Sequence, residues 1–189
     1  MRTIQLCFGI CLTIIAGGCN IVSTTTPFGD PASEAELENL QGTWINDDQE
    51  SAQVHVAENG ELVLGSLQWD DDLKRFRAEN LTLKATQVGD IKLLFATNID
   101  EAAQRAYVFG RYELDDDGTL RVHTSIPDRF ADAVNAGDLK GTVVKKEKSV
   151  SVDLTDSSAA IRDYLAAEGP EEFFNPDVSI TVKILKRKE

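Results

Sequence analysis

Nucleophilic catalysis needs a serine, threonine or cysteine beside a positioned base, most often histidine, and this chain offers only two histidines, His55 and His123. Both stand in stretches of alternating polarity. His55 lies between Val54 and Val56, and His123 is one residue past Val122 and three past Leu120. If the aliphatic residues face a core, the imidazoles face away from it. No Gly-x-Ser-x-Gly nucleophile elbow accompanies them. Carboxylates are abundant but poorly spaced for chemistry. Asp70-Asp71-Asp72 and Asp115-Asp116-Asp117-Gly118 are consecutive, so in a strand they alternate faces. Neither supplies the spaced Asp-x-Asp-x-Asp-Gly with a later Glu that a calcium loop requires. They read as solvated hairpin turns, and no metal or cofactor is expected. Among 32 acidic residues, no pair stands out as the acid and base of a glycosidase. A hydrolase is the weakest reading.

Cysteine carries the more specific signal. Met1-Arg2 is followed by the apolar run Ile4 to Ile15 and then by Ala16-Gly17-Gly18-Cys19. A hydrocarbon core needs about 20 residues of helix. This run is shorter and has the size of a secretory h-region, so residues 1–18 read as a signal peptide. The small residues leading into the cysteine resemble the lipobox of bacterial lipoproteins, with Ala16 where an aliphatic residue is commonest. The resemblance implies cleavage before Cys19 and diacylation through its sulfur, palmitate being a typical chain. An ordinary signal peptide cut near Gly18 and a retained anchor helix are the alternatives. One acyl chain holds a protein only weakly, at about 10⁴ M⁻¹, whereas two give a stable anchor. Asn20, not Asp, follows the cysteine, which points to the outer membrane of the cell envelope. Cys7 and Cys11 would leave with the peptide, so neither a disulfide nor a thiolate metal site is expected.

After Cys19, residues 19–33 are rich in Thr, Ser, Pro and Gly, show no apolar periodicity and read as a flexible, lipidated tether. Residues 34–189 read as one domain. Glu34 to Leu40 suits a short helix, and Gly42 to Ile45 opens a strand. Ala52/Val54/Val56, Leu62/Leu64, Leu81/Leu83/Ala85 and Ile91/Leu93/Phe95 alternate as half-buried antiparallel strands do. Tyr107 to Leu114, Leu120/Val122/Thr124, Val143-Val144, Val150/Val152/Leu154 and Val178/Ile180/Val182/Ile184 continue the pattern. Turn residues at Asn59-Gly60, Gly89-Asp90 and Asp117-Gly118 separate them. Two accessory helices interrupt the strands. One runs over Pro127 to Ala136 and stops at Gly137. The other runs over Ser157 to Glu168, capped by Asp156 and ended by Gly169-Pro170. The pattern predicts a mainly β fold, either an antiparallel up-and-down barrel or a meander sandwich.

Leu40-Gln41-Gly42-Thr43-Trp44 follows a short helix and opens the first strand. It resembles the Gly-x-Trp start of lipocalins and of bacterial lipocalin-like lipoproteins. The resemblance implies a barrel whose closed end is plugged by Trp44, with Gly42 beside it. It also implies a basic residue from the last strand packed over the Trp, for which Lys183, Lys186 and Arg187 are candidates. An eight-stranded barrel has an interior filled by side chains or wide enough for one small ligand, so the expectation is a non-enzymatic module that either binds a small apolar ligand or simply occupies the envelope. The second helix and a strand count above eight depart from the family pattern.

The net charge of −13 excludes a nucleic-acid binder, which needs a basic stripe to neutralise phosphates. Its distribution is uneven. From Thr3 to Leu73 there are 12 acidic residues and no Lys or Arg, whereas Lys74 to Glu189 holds 18 basic against 20 acidic. The basic groups at Lys140/Lys145/Lys146/Lys148 and Lys183/Lys186/Arg187/Lys188 can pair across strands with the acidic N-terminal third. The alternative to ligand binding is that this acidic third docks a basic envelope protein.

Overall fold

Period-two alternation over a dozen short segments builds a sheet that closes on itself. The computed structural model describes residues 20–47, 50–70, 73–98 and 106–185. In chain order the elements are β1 (Ile21–Thr24), β2 (Asp30–Pro31), α1 (Glu34–Leu40), β3 (Gly42–Ile45), β4 (Ser51–Val56), β5 (Leu62–Asp70), β6 (Arg75–Val88) and β7 (Ile91–Asn98). They continue with β8 (Tyr107–Leu114), β9 (Thr119–Ser125), α2 (Pro127–Ala136), β10 (Gly141–Lys146), β11 (Ser149–Leu154), α3 (Ser158–Glu168), a 3-10 turn (Pro170–Phe173) and β12 (Phe174–Ile184).

Strands β3 to β9 form a meander in which each is antiparallel to the next. β12 lies between β9 and β3 and closes the ring through Ile184 opposite Trp44 and Ile180 opposite Val122. The fold is therefore mainly β, an eight-stranded antiparallel closed barrel with three helices. The three expected helices form. Ser157, not Asp156, caps α3, because its hydroxyl accepts from the Ala160 amide while Asp156 accepts from the amides of Ser157 and Lys140. The Asp115–Gly118 stretch is the β8–β9 hairpin turn, with the Thr119 amide donating to Asp117 at 2.9 Å.

Four strands lie outside the ring. Past Gly110, whose partner on β9 is Thr124, β8 exchanges β9 for β1, pairing Val108 with Ser23 and Tyr107 with Thr24. β1 in turn runs parallel to β11, which pairs with β10. This wing, with α2 and α3, covers the outer face of β7 and β8. The short strand β2 pairs with β6. The molecule consequently has two cores. Leu81, Leu83, Leu94, Leu120 and Val182 fill the barrel. Leu93, Phe95 and Phe109 point outward into a second cluster with Phe28, Phe130, Ile161 and Leu165. β7 is thus buried on both faces, rather than on the one face that its Ile91/Leu93/Phe95 alternation suggests.

The expected tether is corrected from Asn20 onward. Val22, Thr24 and Phe28 are at most 1% exposed. The Thr86 hydroxyl donates to the Phe28 carbonyl at 2.6 Å, and the Ala32 amide donates to Ala85. Composition misleads here because the few apolar residues are too sparse to show a period, and their partners come from much later in the chain. Cys19 itself lies outside the described residues.

Candidate functional site

Helix α1 starts with a capping box between Ser33 and Glu36 and delivers Leu40 into the barrel. The Trp44 indole Nε1 donates to the Leu40 carbonyl at 2.9 Å, and the ring is buried. Gly42, two residues before it, has φ +140°, and a Cβ there would lie 3.0 Å from Ile184 Cδ1. A side chain at position 42 would therefore be strained by the positive φ and would press on the Ile184 side chain of the last strand. In the last strand it is Ile184 that stands opposite Trp44. Lys183 is corrected: the alternation that buries Val182 turns Lys183 outward, where it is exposed between Ile45 and Thr119. Lys186 and Arg187 lie outside the described residues.

Beside Trp44 the barrel holds a cavity of about 70 Å³, walled by Leu62, Leu81, Leu120 and Val182 among other aliphatic groups. Glu79 is the one charged side chain at its wall among the described residues. A space of this size takes a few methylene groups. A second space of about 140 Å³ lies where β8 changes partner. It is lined by Leu94, Val122 and Ile180, which also line the first, and by Asn20, Thr124 and Ser125. Asn20 and Thr124 are exposed, so these polar residues mark its mouth and the shared aliphatic residues its inner end. Gly110 sits at this fork, and a Cβ there would come within 2.6 Å of the His123 carbonyl oxygen. Glycine lets β8 approach β9 closely just before the two diverge.

Charge is fixed at other places. At the end closed by α1, the Lys92 ammonium lies 2.6 Å from Glu36 and holds that carboxyl below its usual range, aided by Ser33. Burial, with the nearby Glu36 charge, pushes the Tyr112 phenol up to about 12, so it stays neutral through physiological pH. Lys84 pairs with Glu61 at 3.0 Å. Acids of the first third thus do find bases, but from β6 and β7. Two of the bases expected to serve them pair within the wing region instead, Lys140 with Asp156 and Lys145 with Asp128, at 3.8 and 3.9 Å.

His55 is exposed on β4, as its alternation predicts. His123 faces away from the barrel interior but is covered, being only 9% exposed. The register shift in β12 between Phe174 and Ser179 lays Asn175 over it, and the ring Nδ1 lies 3.2 Å from the Asn175 carbonyl. Its buried Nε2 lacks a hydrogen-bond partner among the described residues, with Glu113 Oε2 3.7 Å away. Arg111 pairs with that same Glu113. Among the described residues, no three His, Cys, Asp or Glu side chains converge as a metal site.

Sequence reading singled out Gly42 and Trp44, which the fold brings together with Leu40 and Ile184. It missed the fork. The available signal was Leu93-Leu94-Phe95, a continuous apolar run that marks a strand covered on both faces. Among the described residues, no helix is long and apolar enough to cross a membrane. No family model, curated protein or solved structure matches this chain.

Proposed function

We propose that this chain is a lipocalin-like bacterial envelope lipoprotein, anchored by lipid at Cys19, whose barrel holds a small apolar ligand and performs no catalysis. The observation that carries the ligand reading is the aliphatic cavity beside Trp44, with a neighbouring cleft in the barrel wall that shares Leu94, Val122 and Ile180 with it. The Gly42-x-Trp44 start supports the lipocalin likeness, and Ala16-Gly17-Gly18-Cys19 supports the anchor. Fluorescence titration of the unlipidated Cys19→Ser protein with N-phenyl-1-naphthylamine tests the ligand. Saturable binding that falls at least tenfold in a cavity-filling Leu81→Phe variant is expected. Absence of saturable binding, or binding indifferent to Leu81→Phe, overturns it. Metabolic labelling with palmitate tests the anchor: wild type should be marked, and continued labelling of Cys19→Ser would place the lipid elsewhere.

A second reading draws on the described acids of the first third that stay exposed, Asp30, Glu34, Glu38, Asp47 and Glu58. They give this region an anionic surface that suits a basic envelope protein. Crosslinking in whole envelopes at low salt should recover such a partner, and recovery of none would remove the reading.

A further inference from the structure

We infer that the cleft between β8 and β9 seats one acyl chain carried by Cys19 of the same molecule. The inference rests on the lipoprotein reading above and adds a destination for the lipid. Asn20 lines the cleft, and it is bonded to Cys19, so a chain attached there starts at the cleft mouth, with consecutive Cα atoms about 3.8 Å apart. Nor does Asn20 swing free: its side-chain oxygen accepts from the Val150 amide at 2.9 Å, and Ile21 is in register with Ser151. The folded segment from Asn20 onward leaves no tether to carry the lipid away from the barrel wall.

The walls suit a hydrocarbon. Polar groups gather at the mouth in Asn20, Thr124 and Ser125, while Leu94, Val122 and Ile180, which also line the cavity beside Trp44, give the cleft an aliphatic wall. An acyl chain lying here would enter tail first and leave its linkage among the polar groups. Attachment also removes the usual limit on a weak fit, because a ligand on a short linker has an effective concentration on the order of millimolar. A chain seated in the cleft is withdrawn from the bilayer, which leaves the molecule held by fewer chains and so more weakly.

The test compares thiol reactivity in the processed, lipidated protein in phospholipid nanodiscs with that in the exported Cys19→Ser protein. Each carries Cys7→Ala and Cys11→Ala with Val122→Cys, which leaves position 122 as the only free thiol, and is treated with N-ethylmaleimide; Thr124→Cys serves if Val122→Cys does not fold. Lys148→Cys, an exposed site near the Val150 amide that holds Asn20, reports shielding by the bilayer. Reaction at position 122 should be at least tenfold slower in the lipidated protein, with position 148 unchanged. Added palmitate should restore protection to the Cys19→Ser protein. Equal rates at 122 with lipid confirmed on Cys19 by intact mass, or equal slowing at 148, overturn the inference and leave the lipoprotein reading standing. An intact mass without lipid on Cys19 overturns both. Protection that added palmitate gives but the attached lipid does not would make the cleft a site for free amphiphiles and also overturn the inference.

Discussion

The two cores share β7 and β8 as a common wall yet are built from different side chains. The outer one is aromatic. Phe28, Phe95, Phe109 and Phe130 contact one another mostly edge to face at centroid distances of 5.0 to 5.6 Å, and Phe130 also meets Phe173. The barrel core is mainly aliphatic and keeps a void beside Trp44. Aromatic rings in edge-to-face contact fix one another's orientation and add about 0.5–1.5 kcal/mol per pair beyond area burial. Aliphatic groups on opposite walls of a barrel have no such mutual registry. The two cores divide the labour: the wing and helices pack the shared wall from outside, and the inside keeps its void.

The strongest way to break this contrast is to truncate each core in turn. Phe130→Ala should cost about 3–5 kcal/mol, and Leu81→Ala only about 2–3 kcal/mol, the low end for buried aliphatic truncation. Urea denaturation measures both, and equal costs would mean that the barrel is as tightly packed as the wing. Next comes the seam between the two regions. Gly110→Ala places a methyl group against the His123 carbonyl and should cost about 1–3 kcal/mol, as overpacking does. Amide exchange should then quicken in β8 and β9 before it quickens in β11, and the reverse order would put the weak point in the wing.

Titration sharpens the contrast at the barrel's closed end. An unfolded tyrosine ionises near 10, whereas Tyr112 does so at about 12. Between these values the unfolded chain loses its proton first, so stability should fall as pH rises from about 10 to about 12. Tyr112→Phe should flatten that fall, as seen by melting temperature across the window. The smallest effect belongs to Glu36→Gln, at less than about 1 kcal/mol because Lys92 is substantially exposed. The folded carboxyl ionises below its unfolded value, so its contribution is present above the ordinary carboxylate range and disappears as pH drops through the depressed value. Wild type and Glu36→Gln should therefore converge in acid.

Much of the barrel is legible in the sequence because each strand needs only its own alternation and a turn. Helices α2 and α3 are legible for a similar reason, since Gly137 and the Gly169-Pro170 pair end them locally. The wing is not, because β1 owes its existence to β11 and β8 and shows just Ile21 and Val22 among Ser and Thr. Trp44 and Gly42 are visible from their spacing, but the void beside them is not, as inward aliphatic residues look the same around a filled core and a hollow one. His123 was readable as to face and unreadable as to burial, since what covers it is a register shift in a distant strand.

The parallel pairing of β1 with β11 also sets an order of events. Ser23 bonds to Asp153 across a separation of 130 residues. Synthesis delivers the N-terminal segment first, and it has no place to go until the last third of the chain has emerged. Contacts this distant in sequence close late, because the intervening loop must be ordered before they form. On the lipoprotein reading, the enzymes that cut and acylate at Cys19 meet an unfolded substrate, and folding finishes where translation began.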